Sequence, residues 1–236
     1  NAAAGLTNRL LAGLAREVLQ AFPGSFSGRI RARTVGNPVR PEIFALPAPR
    51  ERMADRTGPL RILVLGGSQG ALALNQIVPA AAALVTANAA LDIRHQAGKG
   101  TLERAREAYS KHAVEAQVEA FIDDMDAAYA WADIVICRSG ALTVSELAAA
   151  GLGAVLVPYP SAVDDHQTRN GQFLVEADAA VIIQQSELTA ERLAAEINRY
   201  VDERELVIKR AEQARSLARP AATDDVAATC LARAAA

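Results

Sequence analysis

Glu146 stands three residues after Thr143 in the stretch CRSGALTVSELAAAG, Cys137 to Gly151, directly behind the apolar run ADIVI. Two chemistries use that spacing. In a capping box, the threonine and the glutamate satisfy each other's backbone N–H groups at a helix start, and the role is architectural. In a ligand seat, the N–H groups at the same helix start face a phosphate while the carboxylate accepts hydrogen bonds from sugar hydroxyls. These residues alone leave both readings open, and the cap demands less.

Two more stretches leave an apolar run and enter polar residues in the same way. LVLGGSQGALALNQ supplies Gly66, Gly67, Ser68 and Gly70 ahead of a helical pattern, so backbone N–H groups can approach an anion with a helix dipole behind them. It has neither the G-x-G-x-x-G dinucleotide pattern nor the lysine of a Walker A loop, which disfavours NAD and ATP; a tight turn explains it equally well. GAVLVPYPSAVDDHQTRN opens into Asp164, Asp165, His166, Gln167 and Asn170. Adjacent Asp-Asp-His residues rarely converge on one ion and no second ligand set is spaced to help, so no metal site is expected. Asp164 reads as a helix cap, and His166 and Gln167 as hydrogen-bonding groups for a polar ligand or simply as surface residues. A nucleophile elbow, a Cys/His pair and a Ser-His-Asp set are all missing from the pattern, so a covalent hydrolytic intermediate has no support. Together the three exits point to a nucleotide or nucleotide-sugar cleft.

Such groups need strands and helices to hold them. From Leu60 onward, RILVLG, LDIRHQ, VEAFI, DIVICR, GAVLVPY and AVIIQQ are short, valine- and isoleucine-rich and separated by alanine-rich helical stretches. Continuous apolarity predicts strands covered on both faces: a Rossmann-like, doubly wound parallel sheet with ligands at the carboxyl ends of its strands. Upstream, LTNRLLAGLAREVLQAF places Leu6, Leu10, Leu11, Leu14 and Val18 on one face of a predicted helix packed into the core. ARTVGNPVRPEIFALPAPRERMADRTGP then supplies five prolines with little periodicity and reads as an extended interdomain connection.

Composition narrows the class. The 236 residues suffice for one large or two modest domains. No apolar run approaches the roughly 20 residues of a membrane span. Cys137 and Cys230 have no CxxC spacing, so neither a disulfide framework nor a zinc site is indicated and a reducing cytoplasm fits. The chain starts at Asn1 without a methionine or signal segment, and its natural start is expected upstream. Net charge is −2, yet residues 1–52 carry eight arginines against Glu17, Glu42 and Glu51, the pattern of an anionic partner such as a membrane surface or of ordinary solvated arginines. The acidic balance of the strand-rich part argues against nucleic acid.

GLTNR, VGNPVR, LGGSQGA, FIDDM, AYAWADIVICRSGALTVSELAAAG and DDHQTRN follow the order and spacing of the MurG family of bacterial peptidoglycan N-acetylglucosaminyltransferases, which the whole chain resembles. The resemblance implies an α/β, GT-B glycosyltransferase fold with the donor domain complete and the acceptor domain mostly absent. Residues 1–39, joined by a helix at 221–236, would be a remnant of the acceptor and membrane-side domain, and residues 40–220 the UDP-GlcNAc-binding domain. The implied reaction is inverting transfer of N-acetylglucosamine from UDP-GlcNAc to the 4-hydroxyl of MurNAc in lipid I, undecaprenyl-pyrophosphoryl-MurNAc-pentapeptide, giving lipid II at the cytoplasmic membrane face.

By that resemblance Arg40 and Ser68 line the donor site, Ile122 reads the uracil edge through its backbone, and Ala141, Leu142, Thr143, Val144, Ser145 and Glu146 hold diphosphate and ribose. Gln167 contacts the sugar, and Asn1 reaches it from the opposing domain. The resemblance tilts Glu146 toward the ligand role. No cofactor, metal or nucleic-acid partner is expected, and the catalytic base is expected in the portion preceding Asn1. Two other readings remain: a donor-binding subunit of a split transferase, and a GT-B UDP-GlcNAc epimerase.

Overall fold

The computed structural model describes residues 1–26, 28–86, 91–160 and 165–234. At the amino terminus, α1 (Leu6–Ala12) precedes a two-stranded parallel sheet of β1 (Val18–Gln20) and β2 (Ala32–Thr34). This corrects the single helix expected through Val18. The helix ends at Gly13, and Val18 pairs with Ala32 in an extended strand. The leucine stripe is not packed: Leu6, Leu10, Leu11 and Leu14 are 56–85% exposed.

The proline-rich connection is also more structured than expected. β2 lies at its start, and Pro41 and Pro49 open the short helices α2 (Pro41–Phe44) and α3 (Pro49–Met53) from the first turn, where the missing N–H of proline costs no hydrogen bond. Its arginines cap helices of the main domain. Arg52 donates to the Ala150 and Gly151 carbonyls, and Arg56 to those of Ala130, Trp131 and Ala132. Arg56 also grips Asp133, 2% exposed, at 2.8 Å. The segment packs against the domain as a clamp because carbonyls at helix ends need donors.

The main sheet runs β3 (Leu60–Leu65), β4 (Leu91–Gln96), β5 (Gln117–Glu119), β6 (Ile134–Cys137), β7 (Gly153–Leu156) and β8 (Ala180–Ile182) along the chain. Its six strands lie in the order β5-β4-β3-β6-β7-β8 with every pairing parallel. Every residue of β6 and β7 is buried, as strands covered on both faces require. The covering helices are α4 (Leu72–Leu84), α5 (Leu102–Lys111), α6 (Met125–Trp131), α7 (Ala141–Ala150), α8 (His166–Val175), α9 (Ala190–Asp202) and α10 (Arg204–Ser216); α11 (Ala222–Ala234) returns to the amino-terminal segment. There Arg33 reaches Thr229 at 2.7 Å and Asp225 at 3.4 Å, and Arg233 reaches Glu17 at 3.3 Å.

The order reverses between β3 and β6, the point where the connections leave toward opposite edges and a crevice opens past the strand ends. The strand expected over VEAFI sits slightly upstream, at Gln117–Glu119. Phe121 and Ile122 therefore lie beyond its end.

Candidate functional site at the sheet reversal

The exits of β3, β4 and β6 open on a cavity of about 310 Å³. Gly66, Gly67 and Ser68 line it from β3, Gln96 from β4, Phe121, Ile122, Met125 and Tyr129 from the β5–α6 side, and Cys137, Arg138, Thr143 and Glu146 from β6 and α7.

Glycine is required where the two loops behind β3 and β4 touch. Gly70 has φ +79° and Gly98 φ +83°; a Cβ on Gly70 would lie 2.3 Å from the Ala97 carbonyl oxygen, and one on Gly98 2.2 Å from the Gly70 nitrogen. A buried polar chain fixes the same corner. Asn75 Nδ2 donates to the Ala97 carbonyl at 3.1 Å, which turns Asn75 Oδ1 toward His95 Nε2 at 3.0 Å, and Tyr109 Oη lies 2.9 Å from His95 Nδ1. That orientation assigns the proton to Nε2, with Nδ1 accepting from Tyr109. Burial lowers the His95 pKa to about 4, so the imidazole is neutral.

On the other side of the reversal, α7 is capped by the extended Gly140, with no side-chain cap. Thr143 is therefore the third residue inside the helix, and the capping box is not formed: the helix begins three residues earlier than that motif requires. Ala141, Leu142 and Thr143 lie in the first turn, whose N–H groups have no acceptor within the helix. The Val144 N–H is already bound to the Gly140 carbonyl at 2.9 Å and its side chain is in the core, so this expected ligand residue offers neither group to the cavity. Ser145 also faces away: its hydroxyl donates to the Ala141 carbonyl and accepts from Asn37 Nδ2 at 3.0 Å, fastening the VGNPVR segment to α7.

Glu146 projects from the second turn into the cavity. Its Oε2 accepts from the Tyr129 hydroxyl at 3.0 Å. Partial burial raises its pKa, while the Tyr129 hydrogen bond and the charge of Arg40 act to lower it. Burial and the nearby Glu146 push the Cys137 thiol up to about 12, so it is an inert core thiol.

The expected site residues thus fall into two groups. Ser68, Ile122, Thr143 and Glu146 line the cavity, Ala141 and Leu142 stand at its helix entrance, and the exposed Arg40 acts electrostatically on Glu146. Asn1 and Gln167 lie outside it. Gln167 Oε1 accepts from the Tyr159 N–H at 2.9 Å, and Asn1 Oδ1 accepts from Asn170 Nδ2 at 3.3 Å. Asn170 is fully buried and also donates to the Ser139 carbonyl and accepts from the Ala2 N–H, joining α8, the β6–α7 turn and the chain start. The Asp164 cap lies outside the described residues; the helix there starts at His166 behind Asp165.

Tyr129, Arg138, Gln96 and Phe121 went unassigned in the sequence. Gln96 and Arg138 each follow an apolar strand run, a signal that could have found them. Tyr129 follows Met125 by one helical turn, but its polar contact is invisible without α7. Arg138 is held by the Val157 and Pro158 carbonyls, by Gln185 and by the Tyr159 ring, and burial lowers its pKa.

A parallel sheet reversing at β3/β6, with a helix amino terminus and a carboxylate at the reversal, is a Rossmann-like domain, and its likeness to solved and family relatives places it in the GT-B glycosyltransferase class. The model of the glycosyltransferase family 28 C-terminal domain matches residues 61–226, and the chain belongs to that family. It is 53% identical over 231 residues to the UDP-N-acetylglucosamine--N-acetylmuramyl-(pentapeptide) pyrophosphoryl-undecaprenol N-acetylglucosamine transferase of Marinobacter nauticus, covering 98% of this chain and 64% of that protein. The Aeromonas hydrophila enzyme of the same name is 53% identical over 230 residues, covering 98% of this chain and 63% of that protein. The crystal structure of Acinetobacter baumannii MurG superposes with a TM-score of 0.86 at 40% identity, over 96% of this chain and 63% of that one. The chain therefore spans a little under two thirds of the length of these relatives.

Proposed function

We propose that this chain supplies the donor-binding part of an inverting N-acetylglucosaminyltransferase of peptidoglycan synthesis, moving N-acetylglucosamine from UDP-GlcNAc to the 4-hydroxyl of MurNAc in lipid I to give lipid II. The observation that carries the reading is Glu146, set beside the open first turn of α7 in the cavity at the sheet reversal. The activity for which these relatives are named supports the choice of sugar and acceptor.

In this reading the N–H groups of Ala141, Leu142 and Thr143, with the helix dipole, offset charge on the departing diphosphate, where stabilisation counts most as the glycosidic bond breaks. Glu146 receives the ribose hydroxyls, Ser68 and Arg40 complete the phosphate side, and the backbone at Ile122 reads the uracil edge. Gln167 and Asn1 serve the sugar, and the Tyr159 N–H bound to Gln167 Oε1 leaves the Gln167 Nε2 donors for it. Inversion needs a base on the acceptor hydroxyl in line with the leaving diphosphate, and no residue of this chain is assigned to it.

Residues 40–220 are proposed as the donor domain, and residues 1–39 with 221–236 as part of the acceptor side; the Arg33 and Arg233 contacts with the opposite end of the chain favour that grouping. An undecaprenol-linked acceptor places the reaction at a membrane, here the cytoplasmic face. The attachment proposed is peripheral; among the described residues no helix is long and apolar enough to cross a membrane.

Competition for bound UDP-GlcNAc tests the reading. UDP displaces it, while ADP and dTDP need at least tenfold higher concentration; equal displacement by all three contradicts a uracil-reading seat.

A further inference from the structure

Among the described residues, Tyr129 alone donates a hydrogen bond to the Glu146 carboxylate. It sits on α6, whose start is fixed by Asp124: that side chain accepts from the Ala127 N–H at 3.0 Å. One turn after Met125, the ring is fully buried in the core while contributing to the cavity wall. The packing leaves the hydroxyl little freedom, so the 3.0 Å bond to Oε2 ties a flexible glutamate to a rigid anchor.

The arithmetic of the carboxylate gives that bond a use. An ionised carboxylate has about four acceptor sites. Tyr129 takes one on Oε2 and restrains the rotation of the group, leaving acceptor sites for a ligand. A group held in one orientation before the ligand arrives loses less freedom on binding than one that must be ordered by it.

We propose that Tyr129 is a positioning residue of the nucleotide seat, its hydroxyl holding Glu146 in the orientation that receives the vicinal hydroxyls of a ribose. This rests on the donor-site reading above. The groups acting on Glu146 are Tyr129 from α6, Arg40 from the segment before α2, and Cys137 from β6, whose thiol feels the carboxylate. Among the groups that lower its pKa, Tyr129 is the larger and Arg40 the smaller, both opposing burial. Loss of the hydroxyl therefore makes the carboxylate easier to protonate.

The test is a binding cycle with the full chain. Affinities for UDP and for 2′,3′-dideoxy-UDP are measured by calorimetry at pH 7.5 for the wild type and Tyr129→Phe, which keeps the ring that fills the core. Tyr129→Phe weakens UDP five- to tenfold and the dideoxy nucleotide less than twofold. The same substitution made on Glu146→Ala changes UDP affinity less than twofold. In a second arm, binding of UDP-GlcNAc, whose diphosphate is esterified at both ends, is followed from pH 7.5 to pH 4.5. The midpoint of its loss lies at higher pH in Tyr129→Phe than in wild type. Equal weakening toward both nucleotides, or an unchanged midpoint, overturns the positioning role and leaves the donor site standing. Absence of UDP binding by the wild type overturns the donor-site reading and this inference with it.

Discussion

The corner where β3 and β4 meet their following loops and the segment up to the end of β2 hold their polar and apolar groups in opposite ways. At the corner, the fully buried His95 has a partner on each ring nitrogen, and Gly70 and Gly98 touch where a side chain would collide. Up to the end of β2, the leucines of α1 stand in solvent and two three-residue strands form the only sheet among the described residues there. What differs is covering: a strand enclosed on both faces fixes its register, so side chains far apart in sequence arrive at one cavity, while a short helix with one apolar stripe fixes only itself.

If that contrast is right, substitutions that remove equal numbers of methylene groups should have very different effects. Leu147→Ala, in the wholly buried face of α7, should destabilise by about 2 to 5 kcal/mol in urea unfolding, the range for deleting a packed leucine. A loss under about 1 kcal/mol would mean that the domain is far less tightly packed than its burial indicates.

The polar corner should show itself through pH. His95 has a pKa of about 4 when folded against 6.5 in its unperturbed form. Between those values the unfolded chain holds a proton that the folded one does not, so stability falls as pH falls. The contribution is complete above pH 6.5, is lost down to pH 4, and is then constant; it amounts to about 3 kcal/mol at 1.36 kcal/mol per unit. Unfolding free energies of wild type and His95→Gln, compared from pH 7.5 to 4, should converge by that amount because other groups titrate alike in both. Parallel curves would place His95 in contact with water.

The smallest effect belongs to the exposed stripe. Leu10→Ala should change stability by less than about 0.5 kcal/mol, as surface substitutions do. A loss matching that of Leu147→Ala would erase the contrast.

This division also explains what could be read from the residues in order. RILVLG, LDIRHQ, DIVICR, GAVLVPY and AVIIQQ mark strands because burial on both faces writes itself as unbroken apolarity. The same rule fails before β2. Leu6, Leu10, Leu11 and Leu14 have helical spacing, but spacing states which residues share a face and not whether anything covers it. Gly13 was the overlooked stop. In the linker, prolines read as breakers are helix starts, a distinction set by their position in the first turn.

Of the expected residues that line the cavity, Ser68, Thr143 and Glu146 stood out beside a strand exit and a helix start, whereas Ile122, expected inside a strand, came from the family resemblance alone. Val144 and Ser145 were carried along by the motif around them, and only the helix phase separates residues pointing at the cavity from those pointing at the core. Tyr129 needed the structure, since its hydroxyl meets Glu146 from another helix.

The measurement closest to the centre of this account is titration calorimetry of the chain with UDP-GlcNAc, beside Glu146→Ala verified by circular dichroism to keep its fold. Saturable binding that weakens in the variant by roughly 1 to 3 kcal/mol, the range for lost hydrogen bonds to a charged group, is the predicted result. Equal binding by the two proteins would contradict it and leave Glu146 as a partner of Tyr129 alone.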